Sequence, residues 1–307
     1  MAPEIRFPLA AAQAGRGDLE GAMRFYLMRS QASGDDVWGV RAAAEYWLRA
    51  PKGDVRSEEN KYCPLGLFSC RRVLEKPYLD GAPEQNVWAN AQKLDLSAPY
   101  NEAPQTREPT VSEKNAKLWR EKNRAFTKKI GSEVMFGYDS EYLYIAATCQ
   151  KADGFVYPSR DAGSSATLTD ALNAVSGQGG TAAKNKPPRN RDDDLGAYDR
   201  VEIQIDLDGD YTTAYKFVFD CRGWLYDSNW NDPNWNPRVF VAQSETGSSW
   251  TVEAAIPLAE ITERPPEQGG VWRVAVRRVT PGVGVECWNV ENSQKGDDAF
   301  GLMFFEN

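Results

Sequence analysis

The first fifty residues carry apolar side chains at helical spacing. The segment LEGAMRFYLMRSQ follows Asp18, and VWGVRAAAEYWLRA follows the break Gly34-Asp35-Asp36. The apolar stripes consist of Leu19, Ala22, Met23, Tyr26 and Leu27 in the first segment and Val37, Val40, Ala44 and Trp47 in the second. This pattern predicts two helices that resemble half of a tetratricopeptide-type repeat, and each stripe needs a neighbouring element to cover it.

From about Lys76 onward, the helical period gives way to alternation. Apolar residues occupy every second position in 134–138, 143–147, 201–207, 214–221, 250–256, 272–278 and 300–305, and a shorter strand is predicted within 87–96. Gly, Pro, Asn and Asp separate these segments, as turn residues separate antiparallel strands. The chain is therefore predicted to be mainly β, an antiparallel β-sandwich preceded by a short helical segment.

Two polar stretches interrupt the alternation. Residues 100–129 are broken by prolines, which predicts a loop with a short helix at 114–125. Residues from about 155 to 197 are rich in Ser, Gly, Ala, Lys, Pro and Asp, the composition of a polar insertion. We therefore predict a helical segment at 1–70 and a β-sandwich at 71–307 that carries the insertion.

Charge and residue counts exclude several classes of protein. A net charge of −8 and a pI of about 4.9 argue against a nucleic-acid or anionic-membrane partner, and no apolar run reaches the length of a membrane span. The absence of histidine excludes Ser-His-Asp and Cys-His catalysis and histidine-ligated haem. The five cysteines form no CxxC pair, and whether Cys63 pairs with Cys70 stays open.

Six segments of the β region together resemble the family 9 carbohydrate-binding modules. They are PYLDGAPEQNVWANA, SEVMFGYDSEYLYIAATC, YDRVEIQIDLDGD, WTVEAAIPLAEI, GGVWRVAVRRV and FGLMFF, and they extend from about Lys76 to the end of the sequence. The likeness is strongest with bacterial modules attached to larger proteins. It implies a sandwich of jelly-roll or DOMON-like topology and a non-catalytic role in binding sugar. It also favours an extracytoplasmic location, although the first residues lack the pattern of a signal peptide.

The resemblance also implies where a sugar would bind. In the family, one tryptophan before the D-x-V-E-I strand and another before the final FG strand enclose a terminal sugar. The matching stretches here, 195–199 and 293–297, contain no tryptophan, and Tyr198 offers the remaining ring. Glu202 takes the position of the sugar-contacting carboxylate, and Asp220 on the next strand is a second polar candidate.

Trp230 and Trp235 lie in the segment SNWNDPNWNP, whose Asn and Pro residues interrupt both helix and strand. Flat rings and amide groups are the side chains that hold a pyranose, so both tryptophans are candidate carbohydrate contacts. The same rings would also serve to cover the end of a sandwich core. The sequence leaves both interpretations open.

The segment DLDGD places Asp206, Asp208 and Asp210 on one tight turn. Several carboxylate oxygens on a turn are what Ca²⁺ requires, so a structural calcium is one interpretation. Asp-Gly between two alternating segments is also a hairpin signal, and the EF-hand spacing is absent. No other cofactor is expected, because a haem without histidine would need a methionine–lysine pair, and Met135 lies in the apolar phase of its strand.

These observations predict a non-catalytic carbohydrate-binding module within a larger protein, since no carboxylate pair stands out as the acid and base of a glycosidase. The expected ligand is an oligo- or polysaccharide, bound near Tyr198, Glu202, Asp220, Trp230 and Trp235. The alternative is a structural or protein-interaction module on the same fold that has lost sugar binding. The missing tryptophan pair, the apolar helices and the long insertion would suit such a protein partner.

Overall fold

The protein is mainly β, as predicted. The computed structural model describes residues 3–31, 36–50, 63–83, 86–96, 98–100, 130–153, 155–157, 195–288 and 299–307. The helices in these ranges are α1 (Pro3–Gly15), α2 (Leu19–Gln31), α3 (Val37–Arg49), α4 (Leu258–Ile261) and a 3₁₀ helix (Asn86–Trp88). The strands are β1 (Leu67–Arg72), β2 (Lys93–Asp95), β3 (Ala98–Tyr100), β4 (Ser132–Tyr138), β5 (Tyr142–Gln150), β6 (Arg200–Asp206), β7 (Tyr215–Asp220), β8 (Leu225–Asn229), β9 (Phe240–Glu245), β10 (Ser249–Pro257), β11 (Val271–Thr280), β12 (Gly284–Cys287) and β13 (Gly301–Glu306). The predicted helix at 114–125 and most of the predicted insertion lie outside the described residues.

The strands form one sheet whose two halves face each other as a sandwich. Their order is β8-β7-β6-β11-β13-β1-β4-β5-β10-β9, with β12 beside β11, β2 beside β4 and β3 beside β12. All neighbours are antiparallel except at β1, which runs parallel to both β13 and β4. Only the last two residues of β1, Arg71 and Arg72, pair with β4. β1 is therefore the seam at which the sheet passes from one half to the other.

One hydrophobic core fills the space between the halves. The inward positions of the alternating segments are buried there, among them Val134, Phe136, Leu143, Ile145, Val201, Ile203, Ile205, Phe217, Phe219, Val252, Val274 and Val276. These are the phases that the sequence pattern predicts, because residues two apart on a strand share a face. All five cysteines are free thiols, so Cys63 and Cys70 are not joined.

Three helices pack on the outer face of β11 and β13. Asp18 and Asp36 cap α2 and α3, since their carboxylates accept from the backbone N–H of Gly21 (3.3 Å) and Gly39 (2.9 Å). The helical side chains in the shared cluster are Phe7, Ala10, Ala22, Tyr26, Ala42 and Ala44, and they contact Tyr211, Ala275, Phe300 and Leu302. Both predicted helices are confirmed, and α1 is a third that the pattern did not predict. Within the described ranges, no helix is long and apolar enough to cross a membrane.

Glu45 anchors α3 to β11 inside this layer. Its carboxylate is fully buried and accepts from Arg273 Nε (2.8 Å), Arg273 Nη2 (2.6 Å) and the Tyr211 hydroxyl (2.8 Å), and it pairs with Arg49. Burial alone would raise the pKa of Glu45, but Arg273 and Arg49 outweigh it and hold that pKa below its usual value. The helices are therefore tied to the sandwich by a buried ion pair as well as by apolar contact.

Candidate functional site

A polar cluster continues the outer face of the sheet beyond the helical layer. The helices reach Ala275 on β11, and Arg277 stands two residues further along the same face. Arg277 is the register partner of Glu202 on β6. We call the outward side chains of Arg200, Glu202, Lys216 and Arg277 the Glu202 cluster.

Glu202 is a buried carboxylate shared by three cations. Its Oε1 accepts from Arg200 Nε at 2.7 Å, and its Oε2 accepts from Arg277 Nη2 at 2.8 Å and from Arg277 Nε at 3.0 Å. Lys216 Nζ lies 3.1 Å from the same Oε2. Burial would raise the pKa of Glu202, but the three cations, with Arg277 first, lower it to about 2. Glu202 is therefore ionised at neutral pH.

An arginine is stacked between two aromatic rings beside this cluster. Arg222 Cζ lies 3.3 Å from the ring centroid of Tyr198 and 3.9 Å from that of Trp224, within cation–π range of both. We call Tyr198, Arg222 and Trp224 the aromatic stack. Because the guanidinium covers one face of Tyr198, a ligand approaching from that side would meet Arg222 rather than the ring.

Asp220 fixes the position of Arg222. Its Oδ2 accepts from Arg222 Nε (2.8 Å) and Nη2 (2.6 Å), and its Oδ1 accepts from the backbone N–H of Arg222 (2.9 Å) and Trp224 (3.0 Å). Each carboxylate oxygen offers about two acceptor sites, so these four bonds occupy the fully buried Asp220. Direct contact between Asp220 and a sugar hydroxyl would require one of these bonds to break.

The aromatic stack adjoins the Glu202 cluster at one end of the β6–β7 pair. Arg200 is the register partner of Asp220, and its Nη1 donates to the carbonyl oxygens of Gly196 (3.1 Å) and Tyr198 (3.4 Å). The structure thus brings together three of the predicted contacts: Tyr198, Glu202 and Asp220.

Trp230 and Trp235 lie at the opposite end of the β7–β8 hairpin. β8 ends at Asn229, which pairs with Tyr215 at the start of β7, whereas Asp220 ends β7. Trp235 packs on the core-side rings of Tyr215 and Phe217, with centroids 5.0 Å and 5.7 Å apart. Trp230 is 66% exposed and its backbone has φ of +53°, in the left-handed region. The five predicted contacts therefore do not form a single site.

The acidic loop after β6 brings Asp206, Asp208 and Asp210 together, with one carboxylate oxygen of each within 4.8 Å of the others. The oxygens of Asp206 accept from three backbone N–H groups, and those of Asp210 accept from the N–H and hydroxyl groups of Thr212 and Thr213. These bonds use acceptor sites that Ca²⁺ would need. The donor set fits a hydrogen-bonded hairpin turn better than a calcium site.

Arg273 supplies positive charge next to this loop. A Cβ on Gly209, whose φ is +78°, would lie only 2.7 Å from Arg273 Cζ, so the guanidinium packs directly against the turn. Burial and the neighbouring Asp208 raise the pKa of Asp206 to about 8, while Arg273 acts in the opposite direction. The turn thus already has a cation from the protein itself.

Sequence reasoning missed a buried ion pair inside the sandwich. Asp199 and Arg278 are both fully buried, and Asp199 accepts from Arg278 Nε (2.9 Å) and Nη2 (2.6 Å) and from Trp250 Nε1 (2.8 Å). Tyr157 and Thr280 also donate to Asp199. The strand alternation could have predicted this burial. Arg278 lies two residues after Val276 and Asp199 two residues before Val201, so both occupy positions that alternate inward.

No family model matches the chain, and no curated protein matches it. Among solved structures, the chain is similar to a family 9 carbohydrate-binding module from Caldicellulosiruptor kristjanssonii in complex with cellotriose, at 12% identity and a TM-score of 0.44, over 79% of this chain and 94% of that one. The glucose complex of a family 9 module from the same organism gives 12% identity, a TM-score of 0.43 and coverage of 78% and 96%. The chain is also similar to a candidate carbohydrate-binding protein from Bacteroides uniformis, at 11% identity and a TM-score of 0.49, over 78% of this chain and 99% of that one.

Proposed function

We propose that the protein binds carbohydrate, without hydrolysing it, on the face formed by the aromatic stack and the Glu202 cluster. The supporting observation is the junction of a rigid aromatic–guanidinium stack with an ionised carboxylate shared by three cations. Sugar sites combine ring surfaces with a few fixed polar groups that donate to and accept from hydroxyls. Both kinds of group adjoin here.

The state of the carboxylates supports a non-catalytic role for this face. A general acid in glycoside hydrolysis needs a raised pKa to carry its proton at neutral pH. The pKa of Glu202 is lowered to about 2. Burial raises the pKa of Asp220, but both of its oxygens already accept from Arg222 and Trp224. Neither residue is suited to give a proton to a leaving group.

Calorimetry and a glycan array at millimolar ligand test this proposal, with two tryptophan variants as a matched pair. Trp224→Ala removes one ring of the stack and is expected to weaken binding by about threefold to tenfold, as loss of a stacked aromatic contact does. Trp230→Ala removes an exposed ring at the far end of the hairpin and is expected to leave affinity unchanged. Absence of binding to every glycan would contradict the function, and loss only in Trp230→Ala would move the site to the SNWNDPNWNP segment.

A protein-interaction role is the second candidate, and the helical layer favours it. Ile5 and Leu9 on α1 are 61% and 57% exposed, and they lie one turn apart on the same helix face. If association through this face were the function, the double substitution Ile5→Glu and Leu9→Glu would reduce the molecular mass measured in solution while leaving glycan binding intact.

A further inference from the structure

Resting on the proposed function, we infer that the carbohydrate bound by this face is anionic, carrying a carboxylate such as that of a uronic acid. The inference concerns the chemical class of the ligand. It stands on the charge, the remaining hydrogen-bond donors and the rigidity of the face.

The charge of the cluster is opposite in sign to that of the chain. Arg277 has a further interaction besides Glu202, but Arg200 and Lys216 alone are two cations that meet the single carboxylate of Glu202, in a protein of net charge −8. Arg222 and Asp220 form a further pair that is balanced by itself. A second carboxylate placed here by a ligand would complement the cations that converge on Glu202, because opposite charges a few ångströms apart attract strongly in a partly buried site.

Several donors of the face remain available among the described residues. Arg200 uses Nε and Nη1, Arg222 uses Nε and Nη2, and Lys216 Nζ contacts only Glu202, so Arg200 Nη2, Arg222 Nη1 and two N–H groups of Lys216 have no described protein acceptor. These side chains are 16%, 14% and 29% exposed, so each is partly accessible to a ligand. Donors that face solvent can exchange water for the acceptor oxygens of a ligand.

The guanidinium of Arg222 is held ready for such a ligand. Two rings pack against it and Asp220 binds two of its nitrogens, so little side-chain freedom is left to lose on binding. A planar guanidinium fixed in this way matches the planar geometry of a carboxylate. A neutral sugar would use the same donors through hydroxyl oxygens but would add no negative charge beside Arg200 and Lys216, which share one carboxylate among the described residues.

The test compares three ligands of equal length: trigalacturonic acid, its methyl ester and neutral galactotriose. Calorimetry is expected to give at least about tenfold tighter binding of the acid than of the ester, with affinity falling as NaCl rises from about 50 to about 500 mM, because charge attraction is screened by salt. Poly-glutamate of matched charge serves as an anion that is not a sugar and is expected to bind weakly.

Two lysine variants complete the design. Lys216→Gln is expected to reduce the ratio of acid affinity to ester affinity about fivefold, since it removes one positive charge from the Glu202 cluster. Lys151→Gln is the matched control, because Lys151 is 21% exposed and pairs with Glu245 on the other half of the sandwich. It is expected to change nothing.

The outcomes separate the inference from the function on which it rests. Equal affinity for acid, ester and neutral sugar would overturn the anionic preference and leave carbohydrate binding standing. Binding of no carbohydrate would overturn the function itself, and equal binding of poly-glutamate would replace the sugar with a general anion. If Lys216→Gln kept the full preference for the acid over the ester, the ligand carboxylate would bind at a site other than the Glu202 cluster, which would contradict the inference.

Discussion

At the scale of single residues, charged side chains enter this fold where neighbouring strands supply their partners. Arg278 occupies an inward position of β11 and donates to Asp199, to the Ser132 hydroxyl (2.9 Å) and to the Gln150 carbonyl (2.6 Å). A buried charge costs several kcal/mol unless its hydrogen bonds are made, and here they are made by residues of β4, β5 and β11 and the segment before β6. Such a network fixes the register of these elements as well as filling space.

Asp199→Asn and Arg278→Met should each destabilise the protein by about 3 to 5 kcal/mol, because each removes one partner of a fully buried ion pair. In Asp199→Asn, Arg278 would keep only the longer contact with Glu286 at 3.5 Å. The double variant should lose less than the sum of the two single losses, since it leaves neither partner alone. Urea denaturation of all four proteins measures the coupling. The cross-strand pair of Lys93 and Glu133, whose side chains are 62% and 48% exposed, is the control and should show coupling below about 1 kcal/mol. Equal coupling in both cycles would contradict this account of Asp199.

Glu202 makes stability depend on pH in the acid range. Its folded-state pKa of about 2 lies below the ordinary value of 4.5, so its contribution is complete above the unfolded-state pKa and is lost as the pH falls from about 5 towards 2. The shift corresponds to about 3 kcal/mol at 1.36 kcal/mol per pKa unit. Glu202→Gln should therefore lose less stability than the parent protein between about pH 6 and pH 3.

Urea denaturation across this pH range provides the measurement, and Glu263→Gln at an exposed position is the control. The control should follow the parent curve, because an exposed carboxylate contributes little to the difference between folded and unfolded states. Parallel curves for Glu202→Gln and the parent protein would show that the three cations do not act on this carboxylate as described.

At the scale of elements, the sequence predicts a strand well when the side chains on one of its faces are apolar, and poorly when neither face is apolar. β5 and β10 alternate clearly and were predicted, whereas β9 (Phe240–Glu245) has no buried position and lies at the edge of the sheet. β8 was missed because its buried positions include Asp227 and Ser228, which read as turn residues. Alternation records burial of apolar groups, so it cannot report edge strands or strands that bury polar groups.

The candidate site was predictable in part for the same reason. Glu202 and Tyr198 follow from strand phase and from the family resemblance, and the structure places them on one face. Arg222 and Trp224 were not predicted, because the turn that stacks them against Tyr198 depends on four bonds to Asp220 that no local pattern reveals. Trp230 and Trp235 were predicted contacts because of their residue type alone. Residue type does not indicate which end of the β7–β8 hairpin a side chain occupies.

The loop after β6 should stay folded without calcium. Its carboxylates accept from backbone and threonine donors and lie against Arg273, so removal of divalent ions should leave these bonds in place. Thermal unfolding in about 1 mM CaCl₂ and in EDTA should agree to within about 1 °C, because a bound ion would stabilise the folded state by mass action. A rise of several degrees with calcium, abolished by Asp208→Asn, would instead establish the metal site.

At the scale of the whole molecule, the helical layer and the sandwich share buried groups. The aromatic cluster around Phe7, Tyr26, Tyr211 and Phe300 spans both parts, and Glu45 accepts from Arg273 across the boundary. An isolated helical segment would leave its apolar stripe in water, and an isolated sheet would expose Leu302 and Ala275. The division at residue 70 remains a prediction, but these contacts favour folding as one cooperative unit.

Glu45→Gln tests that cooperativity, because it replaces the buried carboxylate with a neutral amide and leaves the buried Arg273 and the partly exposed Arg49 without its negative charge. We expect a loss of about 3 kcal/mol, with amide hydrogen exchange accelerating together in α2, α3 and β11. Glu20→Gln is the control in the same layer: its ion pair with Arg24 is 86% and 70% exposed, so stability should change by less than about 0.5 kcal/mol. Independent folding predicts a different result, in which exchange accelerates in the helices while β11 keeps its full protection. A shared unfolding unit transmits the loss of one helical carboxylate along the whole of β11, beyond Arg273 itself.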